Sequence, residues 1–187
     1  VSALIPSKRV LEGIEAVART RVVHLLVLGD GELAQQAAAL GSQRLGARFH
    51  QRTLPYELMP KAYQAADVFL HMSQVEPSAN AYMEALAAGL PIVTHDRAVT
   101  RWTLEDQGLL VDSNDPGAVA AALTHAMTLT TPVHVESRRS LVRRRFAWSA
   151  IAESYAGFFR QVCQQHARQA AAKPVPFPVP FTAVEHS

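Results

Sequence analysis

The chain has 187 residues, with 18 lysines and arginines against 16 aspartates and glutamates, so its formal net charge is only +2. Hydrophobic residues make up 49% of the chain and charged residues 18%, which excludes wholesale disorder and allows a buried core. So small a charge excludes a dedicated nucleic-acid binder. The single cysteine, Cys163, excludes an internal disulfide framework and a multi-cysteine metal site.

The length and the first residues of the chain indicate how many domains it has and where the protein is found. At about 150 residues per domain, 187 residues fit one domain with a tail, or one lobe of a larger protein. No apolar run approaches the roughly 20 residues that span a bilayer, and no charged-then-apolar signal segment opens the chain. We therefore expect a cytoplasmic protein. Because Val1 is not methionine and leads directly into strand-like sequence, we also expect the chain to begin inside a larger protein.

Strand and helix patterns alternate along the chain, with short connections. The patterns predict strands at residues 1–5, 22–28, 48–51, 67–71, 92–95 and 108–111. They predict helices over residues 7–18, from Gly31 to about Leu45, and over 55–65, 78–88, 116–129, 134–146 and 148–170. Such alternation predicts an α/β fold with a doubly wound parallel sheet, followed by C-terminal helices. Residues 171–187 are rich in proline and predict a semi-extended tail, either frayed or wrapped onto a partner.

In open parallel sheets, ligands bind beyond the carboxyl ends of the strands. There, Glu76 follows a predicted strand and Glu84 lies within the next helix, with the helix N-terminus near residues 78–81 between them. Unpaired amides and the positive end of the helix dipole favour phosphate at such a point. A carboxylate such as Glu84 can accept two hydrogen bonds from neighbouring sugar hydroxyls. The arrangement suits a nucleotide-sugar, although Glu84 could also be an ordinary solvated helix residue.

The stretch from Glu76 to Val93, EPSANAYMEALAAGLPIV, resembles the E-x7-E region of retaining glycosyltransferases with the GT-B fold, family 4 or glycosyl transferases group 1. The usual form there is E-P-F-G-x-x-x-x-E-A-M-A-x-G-x-P-V-V. Further segments resemble family motifs in the same order: SKRV from Ser7, LVLGDG from Leu26, LMPKAYQAADVFL from Leu58, GLLV from Gly108 and FAW from Phe146.

The resemblance implies a function for the whole protein. It implies that residues 1–170 form the Rossmann-like, nucleotide-sugar-binding lobe of a hexosyltransferase. A sugar would pass from a nucleotide-diphosphate donor to an acceptor hydroxyl, with retention at the anomeric carbon. The implied partners are the donor, an acceptor glycan, lipid-linked sugar or small molecule, and a preceding lobe that carries the acceptor site. No cofactor, metal ion or nucleic acid is implied, and the chain alone would not turn over.

Position by position, the resemblance also implies roles in catalysis and phosphate binding. Glu76 matches the catalytic carboxylate beside the donor sugar, and Glu84 matches the carboxylate that holds the ribose hydroxyls. Lys8 matches the lysine on the donor diphosphate. The backbone amides near Ala79 and Asn80 would share that diphosphate.

Two further pairs of residues match the part of the family site that surrounds the nucleoside. Gly29 and Gly31 match the turn that lets the backbone approach the donor. Thr53 and Leu54 fall where backbone groups meet the nucleobase.

Departures from the family pattern keep other interpretations open. Ser2-Ala3 stands where the family commonly has Gly-Arg, so one expected positive charge is missing, and Ser78-Ala79 stands where it has Phe-Gly. A degenerate, non-catalytic nucleotide-binding or regulatory module is therefore the second interpretation. The third is an unrelated doubly wound domain such as a flavodoxin-like module, against which the residues around Glu84 argue.

The remaining signals are weaker. The eight histidines show no metal-binding spacing, and no D-x-D pair occurs, so we expect no metal site. His95, at a strand end, is predicted to be a hydrogen-bonded structural residue, and Cys163 to be buried filler. The arginines of residues 138–145 predict a solvated helix face. The alternative is peripheral contact with anionic lipid at the inner face of a membrane.

Overall fold

The computed structural model describes residues 1–75 and 80–172, the side chains of residues 170–172 excepted. The strands are β1 Leu25–Leu28, β2 Phe49–Arg52, β3 Phe69–His71, β4 Ile92–His95 and β5 Gly108–Val111. The helices are α1 Val10–Ala18, α2 Ala34–Leu45, α3 Met59–Gln64, α4 Asn80–Ala88, α5 Ala98–Leu104, α6 Pro116–Ala126, α7 Pro132–Arg145 and α8 Trp148–Ala172. Short 3-10 turns occupy Pro6–Lys8, Gly46–Arg48 and Tyr56–Leu58.

All strand pairings among these elements are parallel. β1 pairs with β2, so that Leu25 lies opposite Phe49. β3, β4 and β5 form a three-stranded sheet in which Ile92 lies opposite both Phe69 and Gly108. Helices connect successive strands on the way, as parallel pairing requires. The predicted α/β class with parallel strands is confirmed.

The central strand β4 shows why the fold is doubly wound. Successive side chains of a strand point to opposite faces of its sheet. Val93 belongs to a buried cluster with Ile14 of α1 and Val119 of α6. Ile92 belongs to a different buried cluster, with Leu86 of α4 and Leu141 of α7. Both faces of β4 are therefore covered by helices.

Three details of the predicted elements are wrong. Residues 1–5 form no strand. The N–H of Ser2 donates to Leu28 O, at the end of β1, and the N–H of Leu4 donates to Asp30 O, in the turn that follows. The predicted strand at 22–28 begins only at Leu25. α5, which was not predicted, begins after Arg97, whose N–H donates to Thr100 Oγ1 over 2.9 Å. A seven-residue helix is too short to show a clear apolar period.

The arginines of α7 are bound to neighbouring elements rather than uniformly solvated. Arg138 is buried and donates to Gly89 O over 3.0 Å, and Arg139 donates to Ala88 O. These two carbonyls end α4, where backbone acceptors have no intrahelical partner. Arg144 and Arg145 donate to Glu105, just after α5. The predicted solvated face is therefore only partly correct, since α7 also fixes the ends of α4 and α5.

The chain divides into two compact units, Val1–Phe146 and Ala147–Ser187. The described part of the second unit is α8 with Ala147, close to the predicted helix at 148–170. Its Cys163 is exposed, so the prediction of a buried cysteine is wrong; most described side chains of this long helix are exposed within the unit. None of the helices in the described ranges is long and apolar enough to cross a membrane.

Candidate functional site

A glycine-rich turn follows β1 at the point where the N-terminal segment crosses it. The backbone φ is 147° at Gly29 and 154° at Gly31, values that side-chain-bearing residues rarely adopt. A Cβ at Gly29 would lie 1.8 Å from Ser2 O, and one at Gly31 would lie 2.6 Å from Leu4 O. Glycine is thus required here because residues 2–4 pass directly against the turn.

The first cavity of the candidate site lies beside this turn. It has a volume of about 290 Å³ and is bounded by residues from the N-terminal segment, the turn after β1, the loop after β2 and the start of α3. The hydroxyl of Thr53 donates a hydrogen bond to Gly29 O over 3.4 Å. The lining residues include Ala3, Gly29, Thr53, Leu54 and Met59.

A second cavity, also of about 290 Å³, adjoins the first because Met59 lines both. It lies between α3 and α4, and its lining includes Tyr56, Tyr63 and Glu84. The structure therefore brings four of the predicted site residues to two neighbouring cavities, with Glu84 in one and Gly29, Thr53 and Leu54 in the other.

The carboxylate of Glu84 has a defined partner inside the protein. Tyr63 Oη donates a hydrogen bond to Glu84 Oε2 over 2.7 Å. Only 4% of Tyr63 is exposed, and its ring packs against that of Phe69 at a centroid distance of 5.8 Å. Burial, followed by the hydrogen bond to Glu84 and the charge of that carboxylate, raises the pKa of Tyr63 far above its usual value. The phenol therefore remains a donor.

Lys8 ends the 3-10 turn Pro6–Lys8, just before α1. It lines a small cavity of about 70 Å³ together with Ser2, which also lines the cavity beside Gly29. The turn is fixed to the loop after β3, since Ser73 Oγ donates to Ser7 O over 3.1 Å. That loop leads to residues 76–79, so the predicted Glu76 and Ala79 lie outside the described residues.

Asn80 is the first residue of α4 and is exposed. Glu84 follows it by four residues, so the two share one face of the helix. The first amides of a helix have no intrahelical acceptor, and they carry the positive end of its dipole. The described beginning of α4 thus lies about one helical turn from Glu84.

Sequence reasoning missed a polar network around Arg9. Arg9 adopts a left-handed backbone (φ 55°), and its Nη1 donates to Asn114 Oδ1 over 2.8 Å. Gln74 Nε2 donates to the same oxygen over 2.7 Å. The network therefore links the start of α1 to the loops after β3 and β5. The polar residues after Val111 could be recognised in the sequence. Nothing in the sequence indicates that they bond to Arg9, which lies more than 100 residues earlier.

His95 belongs to the same region but is occupied structurally. Its Nδ1 accepts from the backbone N–H of Ser113 over 3.1 Å, which agrees with the structural interpretation. Within residues 1–75 and 80–172, no group of three or more histidine, cysteine, aspartate or glutamate side chains could hold a metal ion.

A larger cavity, of about 380 Å³, shares Tyr63 with the second cavity and shares Val1 and Leu28 with the first. It separates β1 from β3 and is lined largely by apolar side chains such as Val23, Leu25 and Phe69. None of the predicted site residues lines it. Its larger size alone therefore does not make it the candidate site.

Residues 1–128 match the family described as glycosyl transferases group 1. The chain belongs to this family. Its fold is that of the carboxyl-terminal lobe of a GT-B glycosyltransferase. The sequence is 32% identical over 148 residues to the lipopolysaccharide core biosynthesis glycosyltransferase LpsE of Rhizobium meliloti, covering 76% of this chain and 43% of that protein. It is 28% identical over 180 residues to a GDP-mannose-dependent alpha-mannosyltransferase of Mycobacterium tuberculosis, covering 91% of this chain and 44% of that one.

A solved structure shows the same fold as this group 1 glycosyltransferase chain. HepE of Anabaena, solved in complex with UDP-glucose, matches with a TM-score of 0.73 at 22% identity, over 86% of this chain and 47% of that one. The chain thus spans a little under half the length of these relatives.

Proposed function

We propose that this lobe binds a nucleotide-diphosphate sugar and serves a glycosyltransferase that passes the sugar to an acceptor hydroxyl with retention. The observation that carries the proposal is the carboxylate of Glu84 beside the paired cavities that Met59 joins. A carboxylate next to a glycine-lined cleft suits a ribose diol, while the cleft suits a flat base. GDP-mannose dependence in the mycobacterial relative and UDP-glucose in HepE support a donor of this class.

Charge on the diphosphate would be stabilised by two kinds of donor. Lys8 would supply a positive charge, and the amides of Ala79 and Asn80, by their match to the family motif, would donate hydrogen bonds to the phosphates. As the glycosidic bond breaks, negative charge builds on the leaving diphosphate, and donors fixed in advance lower that barrier. We propose that these groups suffice without a metal ion or cofactor.

Glu76 is proposed to act at the sugar itself. Its match to the family carboxylate beside the donor sugar favours contact with the transferred sugar rather than with the ribose. There its carboxylate would orient the sugar and stabilise the reacting centre, so that the acceptor meets the correct face. The acceptor, whether a glycan, a lipid-linked sugar or a small molecule, would bind on a second lobe.

Separate substitutions distinguish the two glutamates. Glu84→Ala is expected to weaken UDP or GDP binding about tenfold or more in calorimetry, because charge-assisted hydrogen bonds to the ribose are lost. Glu76→Ala is expected to leave that affinity nearly unchanged and to slow sugar transfer once the lobe is joined to an acceptor-binding lobe. Glu57→Ala, an exposed acidic residue near the same cavities, is the matched control. Small and equal effects at Glu76 and Glu84 would defeat the assignment.

A non-catalytic nucleotide-binding module is the second candidate. Ala3 lines the cavity beside Gly29 and carries no charge where the family commonly has arginine. If the chain binds UDP or GDP, but transfer stays absent when an acceptor lobe is supplied, this second function is supported. Recovery of transfer by Ala3→Arg would identify the missing charge as the cause.

A further inference from the structure

The hydroxyl of Tyr63 donates a hydrogen bond to the carboxylate at the centre of the proposed donor site, over 2.7 Å to Glu84 Oε2. We propose that Tyr63 is a positioning residue, which fixes the Glu84 carboxylate for the cis-diol of a nucleoside diphosphate. This inference rests on the proposed function, because it concerns the same carboxylate.

The ring of Tyr63 is held firmly enough to orient its hydroxyl. The residue is 4% exposed and lies in the cluster that contains Phe69 and Leu86. Phe69 in turn contacts the ring of Tyr82 at a centroid distance of 6.5 Å. A phenol on a packed ring has few rotamers, so the hydroxyl defines where Glu84 Oε2 lies.

The hydrogen bond from Tyr63 fixes one oxygen of the Glu84 carboxylate. Because a carboxylate is planar, this also restricts the position of the second oxygen. A glutamate side chain has three rotatable bonds, and its last torsion is broad. Without the phenol, the carboxylate would have to be ordered at the moment of binding, at a cost in affinity. With it, the acceptors that meet two adjacent hydroxyls are already in place.

Tyr82 offers a matched comparison. It is buried in the same cluster as Tyr63, but its hydroxyl shares a hydrogen bond with Thr94 Oγ1 over 2.8 Å, and it lines neither cavity of the candidate site. Removing its hydroxyl therefore tests whether any buried phenol of the cluster matters, or only the one bonded to Glu84.

The experiment measures nucleotide affinity on the full 187-residue chain. Calorimetry compares UDP and GDP with their 2′,3′-dideoxy analogues for the wild type and for Tyr63→Phe, Glu84→Gln, the double variant and Tyr82→Phe. Loss of one charge-assisted hydrogen bond corresponds to roughly a tenfold change in affinity. Tyr63→Phe should therefore weaken ribonucleotide binding about tenfold and leave dideoxy binding nearly unchanged. Tyr82→Phe should change neither affinity.

The double variant distinguishes positioning from packing. If Tyr63 acts through Glu84, adding Tyr63→Phe to Glu84→Gln should weaken ribonucleotide binding much less than it does in the wild type. Equal losses for ribonucleotide and dideoxynucleotide, or no loss for either, would overturn the inference.

The outcome also separates this inference from the proposed function. Loss of ribose preference in Glu84→Gln but not in Tyr63→Phe overturns only the role of Tyr63. No loss in Glu84→Gln removes Glu84 from the donor site and overturns both. If Tyr63→Phe fails to fold, NMR of the wild-type chain with labelled tyrosine provides a second test. The Tyr63 ring carbon that bears the hydroxyl should shift on binding the ribonucleotide and not the dideoxy analogue, and the same shift with both would overturn the role.

Discussion

Glycine is required at position 29 because the backbone of the N-terminal segment passes very close to it. Its φ of 147° and the position of Ser2 O, 1.8 Å from a built Cβ, leave no room for a side chain. Gly29→Ala must therefore displace the N-terminal segment that lines the first cavity. We expect a loss of about 1–3 kcal/mol in the free energy of unfolding, in line with overpacking.

Chemical denaturation measures this loss, and calorimetry with UDP or GDP shows whether the displaced segment also weakens nucleotide binding. Gly157→Ala is the control, because a Cβ there meets nothing within 4 Å and alanine favours a helix. Unchanged stability of Gly29→Ala would show that residues 2–4 do not press on the turn.

Residue types could be predicted at the candidate site more readily than their partners. Glycines at positions 29 and 31 and the carboxylate at 84 follow from the motifs, and the structure brings Gly29 and Glu84 to adjoining cavities. The Tyr63–Glu84 hydrogen bond could not be predicted, since the two residues lie 21 positions apart on different helices. Pairings of this kind depend on how α3 and α4 pack, which no local pattern encodes.

At the scale of elements, α7 holds its neighbours through arginines of unequal importance. Arg145 donates to Trp102 O and to Glu105 Oε1, each over 2.7 Å, and its guanidinium lies 4.4 Å from the Trp102 ring centroid. Its side chain is 19% exposed, against 59% for Arg143, which pairs with Glu136 on its own helix. The contacts of Arg145 connect two helices, and those of Arg143 do not.

We therefore expect Arg145→Ala to lower the free energy of unfolding by about 1–2 kcal/mol, through lost hydrogen bonds and the cation–π contact. Arg143→Ala should change it by less than about 0.5 kcal/mol, as is usual for an exposed ion pair. Urea denaturation of both variants decides the point. Arg145→Lys should not restore stability, because an ammonium lacks the planar fork of a guanidinium. Equal losses in the two alanine variants would contradict this account.

Elements with strong boundary signals were predicted well. β4 and β5 match their predicted bounds, and α6 begins at Pro116 after Asp115, which accepts hydrogen bonds from two amides of the first turn. The segment 1–5 was predicted wrongly as a strand. Its backbone N–H groups donate only to the last residue of β1 and the turn after it, while its Leu4 side chain is buried at 1% exposure. Tertiary contacts, not propensity, decide such short segments.

At the scale of the whole molecule, contact of α7 with a membrane stays a prediction. The exposed arginines 143 and 144 are the ones free to face lipid without breaking the core, although each also has an acidic partner. At about 1 kcal/mol per basic residue, reversing both to glutamate should lower binding to anionic vesicles about tenfold or more. Co-sedimentation with phosphatidylserine-containing vesicles measures this, with neutral vesicles as the control. Unchanged sedimentation would end the idea.

The family and the fold were accessible from the sequence because many short motifs occur in one order along a parallel α/β pattern. The base, the sugar and the acceptor were not accessible, for a physical reason. Specificity depends on contacts that line a cleft from several loops, and the acceptor would bind on a different lobe. A relative named as GDP-mannose-dependent and a structural neighbour solved with UDP-glucose both resemble this chain, so the resemblance alone does not choose between these donors.

The central claim is that the paired cavities beside Gly29 and Glu84 bind a nucleoside diphosphate. The most direct measurement is a crystal structure of the chain soaked with UDP and, separately, with GDP. We predict a ribose whose two hydroxyls donate to Glu84, a base near Thr53 and Leu54, and phosphates towards Lys8 and the start of α4. A nucleotide bound with its ribose away from Glu84, or no nucleotide at saturating concentration, would contradict the claim.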